Sequence, residues 1–161
     1  MKGTKLAALY FFILILVIAG ILPGLASANS NQIQSMGQSV YVPVYSHIYH
    51  GDREKEFNLT ATLSIRNTNV DKDIMLHSID YFDSKGKLLK KYIEAPIVLK
   101  KFSAIRYIIK ATDKSGGSGA KFIVRWKSKE LSNAPLIEAI MISTQSGQGI
   151  SFVSRGQAIH E

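Results

Sequence analysis

The sequence predicts an all-β fold, a two-sheet antiparallel β-sandwich, immunoglobulin-like or related, with about eight strands. Three observations predict it. Phe57, Leu59, Ala61, Leu63 and Ile65 alternate with Asn58, Thr60, Thr62 and Ser64, so one face of that stretch is apolar and the other polar. Runs rich in β-branched and aromatic residues recur at regular spacing, separated by clusters of Gly, Pro, Asn, Asp and Ser. No window keeps an amphipathic helical period over three turns, and stacked sheets are then the economical way to bury the apolar faces.

The domain is preceded by a targeting segment. Lys2 and Lys5 stand ahead of an uncharged apolar run from Leu6 to Leu22, followed by Pro23-Gly24 and then Ala26-Ser27-Ala28. A basic start, an apolar middle and small residues in A-x-A spacing form a secretory signal, with cleavage expected after Ala28. Left uncut, the run approaches the roughly 20 apolar residues of a spanning helix and would bring the protein to the membrane. The expected location is therefore outside the cytoplasm, periplasmic or extracellular, or else anchored by residues 6–22. A lipoprotein is ruled out because there is no cysteine to lipidate. Residues 29–38 are polar and aperiodic and read as a flexible leader, leaving a single domain over 39–161.

Within the domain, Ser39 to Tyr49 is rich in β-branched and aromatic residues but holds Pro43. Proline cannot donate to a ladder, so an edge strand or a bulge is expected. Phe57 to Ile65 is the half-buried strand described above, and Arg66-Asn67-Thr68-Asn69 with Asp71-Lys72-Asp73 supplies turn chemistry after it. Ile74 to Phe82 runs through Asp83-Ser84-Lys85-Gly86 into Leu88 to Ile93, a hairpin signal that Pro96 ends. Ile97 to Leu99, Ser103 to Lys110 and Lys121 to Lys127 read as further strands, with Ser115 to Gly119 as the loop before the last. Leu136 to Thr144 reads as another strand: Pro135 to Met141 fits helix and strand periods alike, but the β-branched Ile140, Ile142 and Thr144 on one face favour strand. Ile150 to Arg155 closes the set after Ser146-Gly147-Gln148-Gly149.

An exported chain without cysteine must be held by its core rather than by disulfides, and its length is sufficient for that. Thiolate zinc sites are excluded as well. The chain carries a formal net charge of +8, and residues 85–129 hold thirteen lysines and arginines against only Glu94 and Asp113. Such asymmetry points to an anionic partner. Export makes nucleic acid the wrong anion and leaves acidic glycans, lipopolysaccharide phosphates, lipid head groups or an acidic protein. If Ser103–Lys110 pairs with Lys121–Lys127 around the glycine loop, Lys110 faces Lys121 and Arg106 faces Arg125, with Lys127 nearby and Trp126 in the core. Like charges opposite one another cost some tenths of a kcal/mol, so the pairing wants an anionic ligand, a different register or a merely solvated face.

Other candidate chemistry is thin. His47, His50 and Asp52 have metal-type side chains, but residues three apart on a strand point to opposite faces, so no metal is expected there. Gly116-Gly117-Ser118-Gly119-Ala120 lacks the last glycine of a nucleophile elbow and the lysine spacing of a P-loop, and no helix follows it. Asp80, Asp83, Glu54 and Glu56 sit in turns or at strand edges. No cofactor is implied, and the reading is a non-catalytic binding or scaffolding module. Two alternatives stand beside it. One is an enzyme with a loop-end site formed by His47, His50, Asp52 and Ser118 together with the Gly147–Gly149 loop, since sandwiches gather loops at their ends. The other is a structural subunit joined through the Ser39–Tyr49 edge.

The stretches GQSVYVPVYSHIYHGD, LTATLSIRNTN, DYFDSKGKLLKKYIEAPIVL, GGSGAKFIVRW and APLIEAIMISTQSGQGISFVSRGQ resemble the bacterial exported family called domain of unknown function 3124, over residues 37–157. The resemblance implies a small envelope or secreted domain with no assigned activity. Its lipoprotein members carry a cysteine that this chain lacks.

Overall fold

A computed structural model describes residues 34–144, 147 and 149–160; the expected signal, its cleavage site and residues 29–33 of the leader lie outside them. The described residues form β1 (Gln34–Val44), β2 (His47–His50), β3 (Lys55–Asn58), β4 (Thr60–Arg66), β5 (Ile74–Phe82), β6 (Leu88–Lys91), β7 (Ile97–Leu99), β8 (Ala104–Ile109), β9 (Ala120–Asn133), β10 (Leu136–Ser143), β11 (Ile150–Arg155) and β12 (Gln157–Ile159). One sheet runs β12-β1-β9-β5-β6, with β7 also pairing β5, and the second runs β11-β10-β4-β8. Strands β2 and β3 form a separate hairpin.

The alternation read in the sequence is what stacks the two sheets. Ala61, Leu63 and Ile65 of β4 and Ile137, Ala139 and Met141 of β10 turn inward from the small sheet. Val40, Val42 and Val44 of β1, Leu76 and Ile79 of β5, and Phe122, Val124 and Trp126 of β9 meet them from the large one in a single apolar cluster. Fully burying a leucine, isoleucine or phenylalanine stabilises by about 1.5–3 kcal/mol, which is how the domain holds together without a disulfide. The predicted sandwich is thus the observed one, divided into more strands than expected, with β9 running on to Asn133 beyond the expected end at Lys127. The β5–β6 hairpin also follows the expectation: Gly86 takes a φ of +85°, and the Asp83 carboxylate accepts the amides of Lys85 and Lys87, both at 2.8 Å.

Four local expectations are corrected. The polar leader is shorter than its composition implies, because Gln34 and Ser35 pair with Asn133 and Ser132 across a bulge between Ser35 and Gly37. Both partners there are polar, so no alternation betrays the pairing. Second, β1 is an interior strand, flanked by β9 and β12. It tolerates Pro43 because β12 pairs only with Ser39 to Tyr41 and ends before the missing donor matters. Third, Ser39–Tyr49 is two strands, broken at Tyr45-Ser46 where β2 leaves for β3.

The fourth correction bears on function. Strands β8 and β9 do not pair. Arg106 lies opposite Ser64 of β4, whereas Arg125 lies between Ser39 of β1 and Ser78 of β5, and Lys121 between Pro43 and Phe82. The segment joining β8 to β9 crosses from one sheet to the other, so the like-charge pairs that a hairpin would force never form.

Candidate functional site

The five cations singled out in the sequence are therefore divided between the sheets. Arg106 is exposed on β8, and the exposed Lys110 directly follows that strand. Lys121, Arg125 and Lys127 point outward from β9. Two of these three are engaged locally: Lys121 Nζ donates to the Asp83 carbonyl at 2.6 Å, and Arg125 Nη1 reaches Asp80 at 3.0 Å and Ser78 Oγ at 3.2 Å. Lys127 lines a cavity.

That cavity is a groove of roughly 760 Å³ on the outer side of the large sheet. A register shift in β5 between Leu76 and Ser78 places His77 at the bulge, and β9, β7 and the loops before β5 and after β7 complete the walls. Ile74, Met75 and Val98 give it an apolar floor, while Lys72, Lys100, Lys101, Lys127 and Lys129 surround it. A second hollow of about 680 Å³ shares His77, Lys127 and Ser128 with the first and extends toward Ser39 and Arg125.

The acids of this groove are largely occupied. Asp73 pairs with Lys100 Nζ at 3.0 Å and accepts the Lys101 amide at 2.8 Å; the lysine's hydrogen bond, then that amide, hold its carboxyl below the usual range. Glu130 lies 3.7 Å from Lys72 Nζ, which also donates to the Leu131 carbonyl at 2.7 Å. Lys101, Lys127 and Lys129 have no carboxylate partner among the described residues. Chemically the arrangement is a positive, partly apolar trough that can hold an anion.

Two buried asparagines fix the walls. Asn67 Nδ2 donates to the carbonyls of Lys72 at 2.8 Å and of Leu99 and Lys100 at 3.2 Å, while its Oδ1 accepts the Asn69 amide and side chain. Asn69 in turn bonds Asn133 in both directions, at 2.9 and 3.0 Å, and its carbonyl accepts the Phe102 amide. The sequence marks these asparagines as turn residues, but a turn signal is local and says nothing of carbonyls far along the chain. Lys72, Lys100, Lys101 and Lys129 were missed as site residues for the same reason. Lys100, Lys101 and Lys129 show in the sequence only as members of the basic run over residues 85–129.

The opposite end carries the loop-end candidates. The β2–β3 hairpin and the glycine loop do come together, through the Ser46 amide donating to the Gly117 carbonyl at 3.1 Å and the Glu56–Lys114 pair at 2.8 Å. The third loop, Gly147–Gly149, includes Gln148, which lies outside the described residues. His47 is buried, with Nε2 3.1 Å from Tyr49 Oη and 3.9 Å from Glu56. His50 turns to the other strand face, edge-on to Phe57, and Asp52 is exposed in the turn. Ser118 makes no hydrogen bond to a histidine, and no three acidic or histidine side chains group as metal ligands, among the described residues.

The glycines of this end have a packing explanation. A Cβ on Gly116 would lie 2.0 Å from Tyr81 Oη. Ser84 Oγ donates to the Gly116 carbonyl and accepts the Gly119 amide, both at 2.9 Å, leaving no room for side chains beside it.

Comparison with known proteins adds a family and little else. No curated protein matches the chain. A solved structure titled "Crystal Structure of Thermotoga maritima 1070" aligns at 11% identity and a TM-score of 0.45, over 74% of this chain and 92% of that one. The family model described as "Protein of unknown function (DUF3124)" matches residues 37–159, so the chain belongs to that family.

Proposed function

We propose that the chain is an exported, non-catalytic binding module that holds an anionic component of the cell envelope in the lysine groove formed by β5, β7 and β9. The observation that supports this reading is the convergence of Lys101, Lys127 and Lys129 on one groove in which two of the three carboxylates, Asp73 and Glu130 but not Asp71, are already engaged by other lysines. Cations gathered along a concave wall of low dielectric reinforce one another's field and raise the local concentration of an anion. Arg106 and Lys110, on the other sheet, contribute to net charge but not to this trough.

Salt-dependent retention on a sulfated dextran matrix tests the reading, because such binding is screened by added salt. The triple variant Lys101→Ala/Lys127→Ala/Lys129→Ala is expected to elute at clearly lower salt than the native protein. The double variant Arg106→Ala/Lys110→Ala is expected to elute close to the native position. If the double variant loses retention and the triple variant keeps it, the groove is not the binding surface.

A further inference from the structure

The lysine groove opens toward an end of the domain that exposes apolar side chains on two loops and on the last residues of β9. Phe102 is 77% exposed, Val70 70% and Leu131 55%. These three tips are held by one bonded frame: the Phe102 amide donates to the Asn69 carbonyl at 2.9 Å, Val70 follows directly, and Lys72 Nζ reaches the Leu131 carbonyl. Single exposed apolar residues need no explanation, but two on bonded loops and a third, Leu131, near the end of β9 form a patch.

Phe102 is the sharpest of these features. It sits at a φ of +56°, in the left-handed region where glycine or asparagine is the undemanding choice and a bulky side chain is uncommon. The turn is fastened on both sides, by the Asn69 carbonyl and by the Ser103 amide and hydroxyl donating to the Lys100 carbonyl at 3.2 and 2.6 Å. An aromatic ring that is both conformationally disfavoured and exposed to water gains nothing for folding at that place. It gains if the ring leaves water when the protein meets its partner.

The charges around the tips say what that partner is. Lys72, Lys100, Lys101 and Lys129 flank them, together with the exposed Arg66 just before Asn67; Asp71, Asp73 and Glu130 are the acids, two of them paired. Apolar tips within a ring of cations match a surface that is anionic on the outside and apolar a few ångströms beneath, which is the cross-section of an anionic phospholipid bilayer. A soluble acidic glycan satisfies the lysines but gives Phe102, Val70 and Leu131 nothing.

Resting on the groove reading above, we propose that its anionic partner is an anionic phospholipid bilayer, into which Phe102, Val70 and Leu131 dip while Lys72, Lys100, Lys101 and Lys129 engage the phosphate head groups. The docking is reversible and depends on both elements, since neither a few apolar side chains nor a few lysines hold a protein at a membrane alone.

The full-length Phe102→Trp variant tests this with a probe confined to the tip, independent of any contact the leader makes. The native tryptophan, Trp126, is buried in the core and serves as the unquenched baseline. Vesicles of acyl-brominated phosphatidylcholine mixed with phosphatidylglycerol are expected to quench most of the emission added by the new indole, and pure brominated phosphatidylcholine to quench little of it. Adding Lys101→Glu and Lys129→Glu is expected to abolish the quenching. Unquenched emission with the anionic vesicles, or equal quenching by the neutral ones, overturns the bilayer as partner. If the sulfated dextran test still separates the two lysine variants in that event, the groove reading survives; if that test fails as well, both fall.

Discussion

The two ends of the sandwich are closed in the same way and finished differently. At the β2–β3 end, Ser46, Tyr81 and Ser84 bond the hairpin and glycine loop together, and Lys114 pairs with Glu56 across them. At the Asn67 end, two asparagines bond three loops together, yet lysines without carboxylate partners and apolar tips remain turned outward. Both ends use the left-handed region: Gly51, Glu54 and Gly117 at the first, with φ of +68°, +47° and +75°, and Phe102 at the second with +56°. Phe102 is the large apolar residue among them, and it holds its ring at the surface at a cost in backbone strain.

Substitution of the two frames sharpens that comparison. Asn67→Ala removes the donor to the Lys72, Leu99 and Lys100 carbonyls and the acceptor for Asn69, leaving several buried groups unsatisfied. A loss of roughly 3 kcal/mol in urea unfolding is expected, together with the loss of salt-resistant retention on sulfated dextran. Gly116→Ala drives a methyl group into Tyr81 Oη and is expected to cost about 1–3 kcal/mol. Its retention is expected to be unchanged, because that end holds no part of the groove. Equal effects of the two variants on retention would erase the distinction between the ends.

A smaller effect separates both ends from the aromatic wall between the sheets. Tyr92 packs edge-on to Tyr107 at 5.0 Å and to Phe122 at 5.5 Å. Burial, with a lesser contribution from Tyr81, pushes its phenol up to about 12, and burial raises Tyr81 and Tyr107 as well. The folded protein thus keeps protons that the unfolded chain gives up near pH 10. This contribution to stability is complete below about pH 10 and is lost as the pH climbs toward 12. Urea midpoints that decline over that window, in step with delayed tyrosinate absorbance at 295 nm, are the expected result.

Much of the fold was legible because it is written in local alternation. The period-two pattern of Phe57 to Ile65 became β3, Leu59 and β4, the Asp83–Gly86 signal became the β5–β6 turn, and the β-branched face of Ile140 and Ile142 identified β10 as a strand. Which strands pair is not local. Adjacency in sequence suggested that β8 meets β9, and the only warning was the energetic one, that Lys110 would face Lys121 and Arg106 would face Arg125. The groove was illegible for a related reason. Its lysines come from two loops, Lys72 and Lys100-Lys101, and from β9, Lys127 and Lys129, and Asn67 and Asn69 tie the loops in place by bonding carbonyls well outside their own turn. Charge density singled out residues 85–129, while topology decided which of those cations share a surface.

Amide chemical-shift mapping of the native protein, titrated with a soluble sulfated oligosaccharide, tests the placement of the binding surface most directly. The account predicts that shifts gather at residues 72–77, 98–102 and 127–130. Shifts concentrated at 104–110 on the other sheet, or at 113–119 in the glycine loop, would contradict it.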